Sequence, residues 1–187
     1  MYICGRIASG KLSVQDAGGK VLTLWCMLAV GSLLLCLGNG AAKAQGLAPL
    51  CGIPVFAAPG HPMVAQATFD GLGQPVILID PVVRTLAGPD YERFVLAHEC
   101  AHHVQGHLPA LAQISTLGPY AVLAINPGVE LDADCWAASV LASQGDLAAV
   151  AAAANFFQVT QGPFTQPGYP SGHARAHNIA QCGGLIP

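Results

Sequence analysis

From Ala44 to the C-terminus the chain contains no lysine at all. Its only cations there are Arg84, Arg93 and Arg175, set against nine acidic residues, a formal charge of −6 with histidine neutral. Charged residues of either sign make up 9% of the 187-residue sequence. A protein that grips a phosphate backbone needs a basic footprint, so the sequence excludes nucleic acid as a partner. Internal repeats are also missing, and the length suits one domain with an appendage.

The appendage is at the front. Residues 1–20 carry Arg6, Lys11 and Lys20 against Asp16, and the apolar run "VLTLWCMLAVGSLLLCLG" follows. Ala42-Lys43-Ala44 then supplies the small-x-small pattern that a signal peptidase cuts. Together these predict a signal peptide over 1–44, an exported domain over 45–187, and a periplasmic or secreted location. The run is shorter than the roughly 20 residues of a spanning helix, so no stable membrane span is expected after cleavage. Leu33, Leu34 and Leu35 stand before Cys36 where a lipoprotein signal has a small residue, so no lipid anchor is expected either.

The segments from Met63 to Phe69 and from Pro75 to Ile79 are short apolar runs bounded by Gly, Pro and Asp, which predicts strands. A helix is expected from Pro89-Asp90 to about Gly106, a second from Pro127-Gly128 through "VELDADCWAASVLASQ", and a third from Asp146. A loop, "QGPFTQPGYPSG", leads to a last short helix over "HARAHNIAQC". Strands first and helices later predict an α+β domain, a small sheet with helices packed on one side.

Against this charge-poor background, "HECAHHVQGH" (98–107) is conspicuous. In a helix His98 and His102 fall one turn apart on one face, so both rings can reach one ion, zinc by preference, while Glu99 stands beside its open position as a base. "VELDADC" offers Glu130 as a third ligand and, a turn later, Asp134 as hydrogen-bond acceptor for a ligand histidine. Asp132 reads as part of an acidic helix start. His103 and His107 read as surface residues or as neighbours supporting the ligands, and His173 and His177 as surface residues.

His-Glu-x-x-His followed by a distant helical Glu-x-x-x-Asp resembles the gluzincin zinc metallopeptidases, and most closely the small ones related to CAAX prenyl proteases and heat-shock membrane proteases. The transmembrane helices of the membrane relatives are missing. The resemblance runs from about Pro75 to Cys182 and implies an α+β fold, one zinc, and a peptide or protein substrate. It matches His98, His102 and Glu130 to the family's ligands, Glu99 to its general base and Asp134 to the aspartate behind them. Residues 75–79 match the edge strand along which such enzymes lay substrate. Tyr169 stands where the family has histidine, either as an oxyanion donor or as a packed loop tyrosine. Arg175 matches the family's arginine, meeting the oxyanion or holding the loop through an acid such as Asp134.

Two other classes compete with a metallopeptidase: an envelope protein that binds zinc without turnover, and a disulfide-braced interaction domain. Four cysteines follow the leader, an even count that predicts two disulfides in an exported chain. Cys100–Cys135 across the two metal-bearing helices and Cys51–Cys182 joining the ends is the expected pairing, with free thiols at Cys100 and Cys135 as the alternative.

Overall fold

The computed structural model describes residues 51–187 and, ahead of them, two short antiparallel strands, β1 (Val14–Gln15) and β2 (Val21–Leu22). The leader expected over 1–44 otherwise lies outside the described residues. The described residues 51–187 belong to one compact unit, and β1 and β2 belong to another.

Three strands build the sheet of the main unit: β3 (Val55–Ala57), β4 (Ala65–Phe69) and β5 (Pro75–Ile79), in the order β3-β5-β4. The β4–β5 hairpin turns at Asp70, whose Oδ1 accepts the Leu72 and Gln74 N–H groups. Gly73, at φ 75°, supplies the left-handed step of that turn. β5 pairs with β4 antiparallel and with β3 parallel, so both its sides are taken. This corrects the expectation that residues 75–79 form the edge strand: β4 is the free edge next to the helices. The third strand, β3, was not legible because three residues carry too little alternation to register.

Helix α1 (Val82–Val104) breaks at Gly88 (φ 84°, ψ 170°), and its regular part begins at Pro89, as the proline predicts. It lies between the sheet and the remaining helices, touching β4 and β5 on one side and α3 (Pro119–Ser143) and α4 (Leu147–Phe156) on the other. Its partners are small. Ala137, Ala138, Ala149 and Ala153 are fully buried, which lets these backbones approach closely around Phe94, Leu141 and Val150. A π-helical turn (Phe157–Gln161) ends α4, and α5 (Gly172–Cys182) closes the bundle behind α3. The architecture is α+β, with the helices on one side of the sheet.

Two helical stretches exceed the expectation. α2 (His107–Ser115) was not foreseen, because Pro109 reads as a stop; it sits in the first turn, where a missing N–H costs nothing. α3 starts at Pro119 and runs through Pro127, which reads as its beginning. Among the described residues no helix is long and apolar enough to cross a membrane.

The disulfides are Cys51–Cys100 and Cys135–Cys182, which corrects the expected pairing. Cys100 is two residues from each ligand-position histidine, hence opposite them on α1, and α3 packs against the histidine side. It therefore faces the segment leading into β3, while Cys135 faces the last turn of α5. With sequence separations of 49 and 47, each bridge is worth roughly 4 kcal/mol in the chain-entropy model.

Asp146 caps α4, accepting from the Ala149 N–H, and takes two bonds from Arg93 at 2.6 and 3.0 Å. Hydrogen bonding to Arg93 first, then the Ala149 N–H, holds its carboxyl below the ordinary aspartate value. A depressed folded pKa means stability that is present above about pH 4 and lost as the pH falls through the folded value. Asp146→Asn keeps the cap but not the ion pair, and is expected to cost about 1 kcal/mol at pH 7 for this partly exposed pair. In urea melts the difference from wild type should shrink as the pH drops below about 4; a difference unchanged in acid would show that the ion pair is not its source.

Candidate metal centre

His98 and His102 project from the same face of α1, their rings edge-on with centroids 4.7 Å apart and their Nε2 atoms 3.1 Å apart. α3 crosses α1 there and brings Glu130, whose Oε2 is 3.3 Å from His98 Nε2 and whose Oε1 is 3.8 Å from His102 Nε2. All three side chains are buried, and their ligand atoms lie within 4.8 Å of one another. A tetrahedral zinc with bonds of about 2.0–2.1 Å would hold its ligands roughly 3.3 Å apart, which these separations bracket. The donor set and its spacing fit zinc, with a fourth position left for chemistry.

One helical turn beyond Glu130, Asp134 is wholly buried. Its Oδ1 accepts the His98 Nδ1–H at 2.9 Å, and its two oxygens take Arg175 Nε and Nη2, both at 2.7 Å. Burial alone would raise the Asp134 carboxyl, but the Arg175 hydrogen bonds and charge outweigh it and hold the group below the ordinary range. Arg175 also lies 4.0 Å over the Phe157 ring and 3.8 Å from Glu130. Its Nε and Nη2 are thus engaged with Asp134.

The two histidines differ sharply as bases. Burial works against a charge on His98, yet hydrogen bonds to Asp134 and Glu130 push its pKa up to about 10. Burial and then the neighbouring His98 charge push His102 down to about 3. A ligand role needs a free lone pair on each Nε2, so metal binding at this site competes with protonation of His98.

Glu99 is buried and points to the other side of the same pocket, its Oε2 accepting the Ala67 N–H of β4 at 2.6 Å. Burial, its largest influence, raises its pKa against the pull of His98 and that N–H, which strengthens it as a base. The Asp80 N–H bonds to the Val64 carbonyl and the Asp70 N–H to the Gln74 carbonyl, so even-numbered residues pair with β5. The backbone groups of Ala65 and Ala67 thus face the open edge. The cleft beside them has a volume of about 820 Å³. Tyr91, Phe94, Val95, Phe156 and Phe157 are among the residues that line it.

Tyr169 lines the cleft and is half-buried, its phenol raised first by burial and then by the charges of Glu130 and Glu99. Asn126 of α3 donates to the Gly168 carbonyl at 2.7 Å and docks the loop that carries it. His103 lies apart from the cluster, donating to the Val76 carbonyl at 3.0 Å. Asp132, His173 and His177 are exposed. His107 is buried against His102, and the signal that could have found it is Gly106, whose left-handed φ of 71° turns the chain back toward α1.

A His-Glu-x-x-His helix crossed by a second helix bearing the glutamate and, one turn on, the aspartate behind it is the gluzincin-type arrangement of zinc metallopeptidases. The model of Peptidase family M48 matches residues 62–160, more than half of the chain, and the protein belongs to that family. The matched span covers the edge strand, both motifs and most of the π-helical turn, and stops short of Tyr169 and Arg175. No curated protein and no solved structure matches the chain.

Proposed function

We propose that the protein is an exported zinc endopeptidase that cuts extended peptides with apolar side chains next to the scissile bond. The observation carrying this reading is that Glu99, the His98–His102–Glu130 cluster and the open edge of β4 all face one cleft. Zinc bound by His98, His102 and Glu130 would supply Lewis acidity, making water a nucleophile near neutral pH and polarising the carbonyl under attack. Glu99 takes the proton of the attacking water and returns it to the leaving amine. Substrate pairs with the Ala65 and Ala67 backbone as an added strand, displacing the Ala67 contact from Glu99. A phenolic O–H from Tyr169 donates to the developing oxyanion. Arg175 acts through Asp134, keeping His98 in its ligand tautomer.

The substrate class is supported by the aromatic and aliphatic residues that line the cleft, Tyr91, Phe94, Val95, Phe156 and Phe157. Among the described lining residues the only arginine or lysine is Arg175, already paired with Asp134, so an acidic substrate side chain would find no free partner there. Export is supported by the two disulfides and by the leader pattern of the first 44 residues.

Hydrolysis of casein and of quenched peptides should require one zinc per chain, stop with a chelator and return on zinc addition. Leu or Phe beside the cut should be preferred more than tenfold over Lys or Asp. In the same assay Tyr169→Phe should lower kcat roughly tenfold or more, and an unchanged rate would return Tyr169 to packing. A zinc-loaded protein that hydrolyses nothing would leave the zinc-binding envelope protein as the answer.

A further inference from the structure

His107 is the first residue of α2, buried, with its Nδ1 3.1 Å from the Nδ1 of His102 and its ring edge-on to it at 5.1 Å. Two like nitrogens can share a hydrogen bond only if one carries the proton and the other a lone pair. His102 Nε2 faces His98 Nε2 and Glu130, so a ligand role leaves its proton on Nδ1. His107 must then accept at Nδ1, which puts its own proton on Nε2. That atom faces Asp132 of α3, whose Oδ2 is 4.0 Å away. Each element packed here thus contributes one step: α1 the ligand, α2 the acceptor, α3 the charge beyond it.

We propose that His107 is a positioning residue for the metal, orienting His102 and fixing its tautomer as Asp134 does for His98. The two ligand histidines are then supported differently. His98 leans on a carboxylate that is wholly buried and held by Arg175. His102 leans on a neutral imidazole whose carboxylate neighbour is open to solvent. The inference rests on the zinc reading above.

Zinc affinity measured by competition with a chromophoric chelator tests it independently of hydrolysis. Partners of this kind are worth ~10–100-fold in metal affinity. His107→Phe keeps a ring in the α1–α2 joint but cannot accept a hydrogen bond, and should weaken zinc by that factor with little change in the melting temperature of the chelator-treated protein. His107→Asn, whose amide oxygen can accept, should recover most of the loss. In ¹⁵N NMR of the zinc-loaded wild type, His102 should carry its proton on Nδ1 and His107 on Nε2. Should His107→Phe lower the melting temperature, the Asn variant and these spectra decide alone. Wild-type affinity in His107→Phe, no recovery in His107→Asn, or a proton on His107 Nδ1 would each overturn the proposal while leaving the zinc reading intact. A wild type that takes up no zinc would overturn both.

Discussion

Glu99→Gln should leave about one zinc per chain and an unchanged melting temperature, while hydrolysis falls by at least the ~10²–10⁴ that acid–base catalysis supplies. Shape is conserved, and the new amide oxygen can still accept from the Ala67 N–H that now meets Oε2 at 2.6 Å. All three ligand side chains remain. What disappears is basicity, which burial raises in the native carboxylate. Variants that strike the cluster directly, His98→Ala or Glu130→Ala, should lose the metal as well, so metal analysis separates the two kinds of defect. Full activity in Glu99→Gln would remove the proposed mechanism.

The second large effect belongs to Asp134. Asp134→Ala leaves the Arg175 guanidinium, 9% exposed, without its two hydrogen bonds and strips His98 Nδ1 of its acceptor. Breaking a buried ion pair from one side costs about 3–5 kcal/mol, because the remaining charge stays desolvated. For a domain of this size that is a fall in melting temperature on the order of 10 °C. Zinc affinity should drop ~10–100-fold at the same time, since His98 loses the group that sets its ring. Arg175→Lys should follow the same pattern more mildly, with stability, metal and activity declining together, because an ammonium cannot span both oxygens. A loss of kcat alone in Arg175→Lys would instead assign that residue to the oxyanion.

Much of the centre was legible because its spacing is local. Four residues along a helix return to the same face, so His98 and His102, or Glu130 and Asp134, declare themselves without tertiary information. His107 stayed open between surface and support, since five residues along a continuous helix lie about 140° apart; only the turn at Gly106 brings it back. The strands 65–69 and 75–79 were legible from apolar runs between turn residues, but their order was not. Which strand is the edge depends on Val55–Ala57 pairing across more than twenty residues. The cysteine pairing failed for the same reason. The side of α1 on which Cys100 emerges is a sequence property, whereas what lies on that side is a packing property. Proline misled twice: Pro109 falls in the first turn of α2, where a missing N–H is tolerated, and α3 continues through Pro127.

Each disulfide has one cysteine inside a metal motif: Cys100 midway between His98 and His102, Cys135 directly after Asp134. The staples sit on the outer faces of the two helices whose inner faces carry the donors. The bridges therefore constrain the two helices independently of any ion, and in the bridged chain a cation meets donors already in place. In a reduced chain, part of the free energy of metal binding would go into ordering α1 and α3, and the observed affinity would be weaker by that amount. Reduction of the two bridges should therefore weaken metal binding even though no cysteine is a ligand.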